Sequence, residues 1–149
     1  MNLTNIFNPL MIWLLHSPFH KIASKSTLLI TFTGHKSGKK YTTPVNYVPD
    51  GNLIFITSLR SRTWWRNLRR YAKISVHLQG KDLETQGEVI EDNEKVKEQL
   101  MRYLQKVPQY ARYFKVSLDH EGHPNTEDVT QAARDRVMIL LRLNKILKD

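Results

Sequence analysis

The chain has 149 residues with 23 lysines and arginines against 14 carboxylates, a net charge of +9, and no cysteine. That length suits one domain able to bury roughly two-thirds of its unfolded surface, and 40% hydrophobic with 25% charged residues excludes a disordered or fibrous chain. Without cysteine there are no disulfides and no thiolate metal sites, which suits a reducing, cytoplasmic setting and leaves any redox chemistry to a borrowed cofactor.

Asn8 as a cap and Pro9 at the first helical position predict a short helix over Leu10-Met11-Ile12-Trp13-Leu14-Leu15, set off with its lead-in as residues 1–24. The run falls far short of the ~20 residues that span a bilayer. Met1 to Asn8 carries no base and no small-residue cleavage site follows, so a signal peptide is not expected. Two roles stay open for this helix: plugging an open end of the domain's core, or touching the inner face of a membrane through Trp13 and the basic flank of Lys21 and Lys25.

Leu28 to Phe32 is rich in strand formers and runs into the turn Gly34 to Gly38; Tyr41 to Val48 resumes the extended pattern, which predicts a hairpin. Pro44 cannot donate a ladder hydrogen bond, so the second run is expected at an edge, at a bulge, or where a ligand lies against the backbone. Pro49-Asp50-Gly51-Asn52 is a turn, with Gly51 supplying a positive φ, and Leu53 to Thr57 is the third strand of an expected meander. Trp64 to Tyr71 is one or two helical turns. Ile74 to Leu78 and Thr85 to Ile90 pair around Gln79-Gly80-Lys81. Asp92 caps a helix whose Val96, Leu100, Tyr103, Leu104 and Val107 follow a 3.6-residue period until Pro108 stops it. Gln109 to Phe114 adds a turn, Ser117 to Asn125 is loop, Asn125 caps a helix through Ala133, and Val137 to Leu143 is an apolar last strand. No alternation of strand and helix appears, which disfavours a parallel doubly wound sheet. The expected class is α+β, a small and mostly antiparallel barrel with helices packed outside.

The charge is lopsided: the stretch through Lys81 carries +11 with Asp50 its single acid, and the remainder carries −2. Six bases without an acid run from Arg60 to Lys73, interleaved with Trp64, Trp65 and Tyr71. Such a patch suits a phosphorylated cofactor, an anionic membrane or a nucleic acid. Gly34-His35-Lys36-Ser37-Gly38-Lys39 is not a phosphate loop of the nucleotide-binding kind, because its glycines are four apart, no Ser or Thr follows Lys39, and no helix begins there. It is either a solvated turn or a cradle in which backbone N–H groups, the Ser37 hydroxyl and lysines converge on an anion. Of Trp64 and Trp65, one indole is expected in the core and the other free to pack on a ligand ring, with Asn67 one turn on from Trp64 to satisfy a polar edge. His120-Glu121-Gly122-His123 offers two imidazoles on a loop without a third ligand, so no metal site is expected, and Ser37 lacks the context of a hydrolytic nucleophile.

Leu28-Leu29, Thr33-Gly34, Lys36-Ser37-Gly38, Pro44, Asp50-Gly51, Trp64, Asn67 and Leu68, with a weaker match at Pro108, Tyr110 and the last strand, resemble the signature of the deazaflavin-dependent nitroreductase and quinone reductase family. The resemblance implies a split β-barrel of the flavin-reductase type over 25–149, within a single domain spanning 1–149. It implies a reduced 8-hydroxy-5-deazaflavin coenzyme (coenzyme F-420), whose acidic tail accounts for the cationic half, and hydride transfer to an electron-poor small molecule: a quinone, an enone or a nitro compound. Carried over, Lys36, Ser37 and Gly38 would hold the phosphate; Pro44, Val45, Asn46, Thr57 and Ser58 would line the ring; Trp64 and Asn67 would close the pocket. Tyr110, with Ser58, is the catalytic candidate, and Tyr113 would back Tyr110 toward substrate. His35 and Tyr41 stand where members commonly carry arginine, so Arg60 and Arg62 are expected to compensate. That departure keeps flavin mononucleotide (FMN), or a non-catalytic carrier of either ring, as the alternative. A nucleic-acid partner is not expected, and a homodimer stays open.

Overall fold

The computed structural model describes residues 27–144; the N-terminal helix predicted over residues 10–15 lies outside them. Seven strands are formed: β1 Thr27–Thr33, β2 Lys40–Asn46, β3 Val48–Asp50, β4 Leu53–Leu59, β5 Lys73–Leu78, β6 Lys81–Ile90 and β7 Arg136–Arg142. Two α-helices, α1 Asn93–Lys106 and α2 Thr126–Arg134, and two 3₁₀ segments, Trp64–Leu68 and Pro108–Phe114, complete the description.

All strand pairs are antiparallel, in the order β2-β1-β5-β6-β7-β4-β3. β2 and β3 therefore lie at opposite edges, yet only Tyr47 separates them in the chain. In a flat sheet those edges would be about 29 Å apart, six steps of ~4.8 Å, whereas the link from Asn46 to Val48 reaches at most about 7 Å. The sheet has to curl until its edges meet, and the result is a split barrel.

The expected meander of three strands does not form. The second run breaks at Tyr47, whose ring is buried in the barrel core, and this turns the chain off the edge of β1 before β3 begins. The next hairpin, β3 with β4, then joins the other edge, so β4 pairs with β3 and β7 instead of β2. The remaining turn chemistry behaves as read. Pro44 sits opposite Leu29 in an edge strand, where a missing N–H is tolerated, and Gly51 takes φ +63° in the β3–β4 turn. β6 begins four residues earlier than expected because the two-residue turn Gln79-Gly80 pairs Leu78 directly with Lys81.

Alternation along the strands separates two cores. Leu28, Ile30, Ile54, Ile56, Ile74, Val76, Val137, Ile139 and Leu141 point into the barrel with Trp65 and Leu68. Phe55, Met138 and Leu140 point outward against Val96, Leu100, Tyr103 and Leu104 of α1 and Val129 and Ala133 of α2. β7 is thus covered on both faces, which is why Val-Met-Ile-Leu-Leu shows no polar alternation. Asp92 caps α1 by accepting from the Lys95 N–H at 3.1 Å, and Asn125 caps α2 by accepting from the Asp128 N–H at 3.0 Å, each worth ~1 kcal/mol. Among the described residues no helix is long and apolar enough to cross a membrane.

Candidate functional site

The antiparallel order brings the end of β1, the start of β2, the end of β4 and the start of β7 to one rim of the barrel. A cleft of about 1700 Å³ opens there. Among the described residues its lining includes Lys36, Arg62, Arg66, Arg69, Arg70 and Arg136 and not one Asp or Glu.

One wall is the turn between β1 and β2. It is closed by the Gly34 N–H donating to Lys39 C=O at 2.7 Å and the Gly38 N–H donating to Gly34 C=O at 2.9 Å, with Gly38 at φ +69°. The Ser37 hydroxyl accepts from the Lys39 N–H at 3.2 Å and meets the Tyr41 hydroxyl at 3.1 Å. Gly34 allows a close approach here, since a Cβ would come within 2.6 Å of the Tyr41 ring and 2.7 Å of Ser37 Oγ and force one of those side chains to shift. Among the described residues the N–H groups of Lys36 and Ser37 have no acceptor, and the turn carries Lys36, Lys39 and Lys40 beside them.

The second wall is the 3₁₀ segment. Trp65 is buried while Trp64 is half-exposed in the cleft, its ring 6.1 Å from that of Phe32, so the two indoles divide as the sequence suggested. Trp64 Nε1–H donates to Ser58 Oγ at 3.1 Å, and the Ser58 hydroxyl in turn donates to Leu59 C=O at 3.2 Å. Asn67 joins this wall to the first: its Oδ1 accepts from the His35 N–H at 2.8 Å and its Nδ2 donates to Trp64 C=O at 3.0 Å. Of the surrounding arginines, Arg69 forms a two-pronged pair with Glu91 at 2.6 and 2.9 Å, which leaves Arg66 and Arg70 without a carboxylate among the described residues.

The third wall is aromatic. Tyr103 packs against Tyr110 at 6.5 Å and Phe114 at 5.7 Å, and Tyr110 meets Tyr113 at 6.1 Å. Tyr113 is 73% exposed at the rim. Burial pushes the Tyr103 hydroxyl up to about 12, Tyr110 adding to the rise and Arg136 opposing it. The Tyr110 hydroxyl has no partner among the described residues.

Of the residues expected from sequence, Lys36, Ser37, Gly38, Pro44, Val45, Asn46, Thr57, Ser58, Trp64, Asn67, Tyr110 and Tyr113 all line this cleft. Arg60 does not. Its Nη2 donates to the backbone oxygens of Glu91 and Arg136, both at 2.9 Å, and to Asn93 Oδ1 at 3.2 Å, so it ties the ends of β4, β6 and β7 together and is spent as a structural clamp. Ser58 is 5% exposed with its proton committed to Leu59, an arrangement that positions Trp64. Sequence reasoning missed Tyr103, Phe114 and Arg136. The helical period announces Tyr103 only as core, which it also is, and Arg136 is joined to the rim only by the pairing of Leu59 with Arg136, which no local pattern announces.

The chemistry of this donor set fits an acidic ligand bearing a flat ring: unpaired cations and free backbone N–H groups on two walls, indole and phenol faces between them. A model of the F420H(2)-dependent quinone reductase family matches residues 18–118. No curated protein matches the chain. Solved structures with a similar fold include an Agrobacterium tumefaciens protein of unknown function, 20% identical over 89% of this chain with a TM-score of 0.53; the chain spans 57% of that protein's length. A conserved hypothetical protein from Mycobacterium tuberculosis is 17% identical, with 87% of this chain and 82% of that one aligned at a TM-score of 0.53. A protein solved as a domain-swapped dimer is 18% identical, with 83% and 92% covered at a TM-score of 0.51. At such identities these likenesses show the fold.

Proposed function

The chain belongs to the F420H(2)-dependent quinone reductase family, and from that membership we propose that the rim cleft seats the reduced deazaflavin between the basic turn and Trp64 and presents it to a quinone lying against Tyr110. The protein is an oxidoreductase, and its cofactor is the reduced 8-hydroxy-5-deazaflavin coenzyme. When bound, the reduced ring supplies the hydride.

The protein's residues bind, align and neutralise. Lys36 and the N–H groups of Lys36 and Ser37 offer charge-assisted hydrogen bonds to a phosphate, and Arg66 and Arg70 stand ready for the carboxylates of the tail. Ser58 holds the Trp64 indole at a fixed angle, so the ring meets a preset face instead of ordering one on binding. Asn67 fixes the basic turn to that same wall. Tyr110 is the proton donor in this reading: the residue is half-buried and its hydroxyl has no hydrogen-bond partner among the described residues, so it is free to hydrogen-bond a carbonyl oxygen and to stabilise the negative charge that would grow there as the acceptor is reduced. Tyr103, held neutral well past physiological pH, backs Tyr110 with an uncharged ring. Enones and nitro compounds share the feature this wall recognises, an electron-poor centre conjugated to an oxygen that gains charge.

The observation that carries this reading is the joint one: among the described residues six cations and no carboxylate line a single cleft with the half-buried Trp64 indole. Fluorescence titration of the protein with reduced deazaflavin and, separately, with FMN tests it, followed by cofactor oxidation in the presence of menadione. Binding of the deazaflavin and faster oxidation with menadione are expected. Binding without faster oxidation would leave a carrier, preferential binding of FMN would replace the cofactor, and no binding of either ring would sink the proposal.

A further inference from the structure

The aromatic wall holds a cation apart from those on the basic turn and the 3₁₀ wall. Arg136 opens β7 opposite Leu59, and its guanidinium lies over the Phe114 ring at 4.6 Å. It is half-buried in the cleft lining, and among the described residues no carboxylate pairs with it. Burial lowers its pKa, Tyr103 opposing that effect; Arg62 lowers it further as a neighbouring like charge and Asp135 raises it. A partly desolvated arginine without a counter-ion, next to a second arginine, is costly to keep unless something anionic completes it. Lys36 and Ser37 are on the turn, and Arg66 and Arg70 are on the 3₁₀ wall and its exit; Arg136 is instead on the face of β4 and β7 that carries Phe55 and Met138, together with Tyr103 and Phe114. The planar guanidinium fork matches a carboxylate or two neighbouring ring oxygens, and the phenol rings beside it match a flat ring.

We infer that Arg136, with Arg62 beside it, selects acceptors that carry an acidic oxygen on or next to the reducible ring, as in hydroxyquinones and carboxylate-bearing quinones. The inference rests on the quinone reductase reading above and names the substrate class of the same site. In the step concerned, the bound reduced ring would supply one hydride, a proton with two electrons, and be oxidised; a neutral quinone would become a hydroquinone monoanion, and an acceptor whose acidic oxygen is already ionised would carry a second negative charge, beside Arg136. One proton, from Tyr110 and ultimately water, completes the hydroquinone. Arg136 faces the acidic oxygen throughout and so lowers both KM and the cost of placing an anion in the cleft.

The test uses the full chain loaded with reduced deazaflavin and compares menadione, which is neutral, with 2-hydroxy-1,4-naphthoquinone, which is an anion at pH 7. Wild type, Arg136→Gln and Arg136→Lys are assayed for kcat/KM on both acceptors, and each is titrated with both quinones without cofactor by calorimetry. The preference ratio between the two acceptors is expected to fall about ten-fold or more in Arg136→Gln through KM, with partial recovery in Arg136→Lys, and calorimetry should show the same loss. Differences in acceptor potential cancel because only changes in the ratio between variants are read. An unchanged ratio in a normally folded Arg136→Gln overturns the inference. So does a rise in the deazaflavin Kd with the acceptor ratio kept, which would hand Arg136 to the cofactor. If Arg136→Gln melts too early to assay, the wild-type calorimetry decides: equal affinity for the two quinones overturns the inference, and tighter binding of the anion that weakens with salt supports it. Menadione reduction with an unchanged ratio removes this inference alone; no reduction and no cofactor binding removes the reading beneath it.

Discussion

Replacing Asn67 with alanine should loosen the cleft without touching its charges. Asn67 makes two hydrogen bonds, from the His35 N–H at 2.8 Å and to Trp64 C=O at 3.0 Å, that fasten the basic turn to the 3₁₀ wall. Each is a neutral bond near the surface, worth ~0.5–1.5 kcal/mol net, so their sum is about 2 kcal/mol. With an unfolding entropy of ~2.1 cal/mol/K per residue over 149 residues, that loss lowers Tm by about 6 °C. The same change frees the turn before any ligand arrives, so cofactor binding must re-order it, and the deazaflavin Kd should rise several-fold while tryptophan fluorescence of the free protein shifts through Trp64. Differential scanning calorimetry and fluorescence titration read the two effects. A melting temperature within 1 °C of wild type would refute the clasp. A lower Tm with an unchanged Kd would refute its connection to the ligand.

Gly34→Ala should cost ~1–3 kcal/mol in urea denaturation, because its Cβ would press on the Tyr41 ring and Ser37 Oγ at 2.6 and 2.7 Å and something must shift; full wild-type stability would show that the turn has slack. Lys36→Ala should weaken deazaflavin binding by ~1.5–3 kcal/mol, the scale of a hydrogen bond to a charged group, and an unchanged Kd in titration would remove Lys36 from the phosphate. Tyr110→Phe should lower kcat more than it raises the cofactor Kd in steady-state and binding assays; equal losses would make Tyr110 a packing residue. Tyr103→Phe should flatten an alkaline loss of stability. Burial holds the folded Tyr103 protonated up to about 12 against an ordinary value of 10.0, so between those pH values the native state binds more protons than the unfolded one and stability falls as pH rises. Below pH 10 both states are protonated and the contribution is fully present. Denaturation of both proteins between pH 9 and 12 checks this, and identical slopes would refute it.

The elements were legible where local chemistry decides them. Asp92 and Asn125 announce their helices because a capping oxygen three residues before a free N–H is a short-range event, and Trp64-Trp65 announces a division of labour because two indoles cannot both be cheaply exposed. What the sequence did not show was decided at long range. Tyr47 looks like an ordinary strand residue between Asn46 and Val48, and only the competition between extending β2 and burying that ring in the barrel sets the break. Arg60 and Arg62 are two residues apart with the same charge, yet Arg60 reaches backbone oxygens of Glu91 and Arg136 and Arg62 reaches the cleft. Their fates depend on where β6 and β7 end, which no window around them contains. Arg136 joined the site for the same reason.

The last three residues of β4 show how the fold gives the cleft two chemically different walls. Ile54 and Ile56 belong to the barrel core and Phe55 to the helix-side core, so alternation sends Ser58 inward toward Trp64 and sends Thr57 and Leu59 outward toward the tyrosines. A slip of one residue would reverse this, turning Ser58 away from the indole it holds and thrusting Phe55 into the barrel. Seven consecutive pairs with β7, from Leu53 with Arg142 to Leu59 with Arg136, oppose that slip, and the two buried faces of β7 penalise it twice. The register that stabilises the sheet is therefore also the register that, in the function proposed above, would give one wall to the donor ring and the other to its acceptor, with Arg136 on the second wall because it closes that ladder.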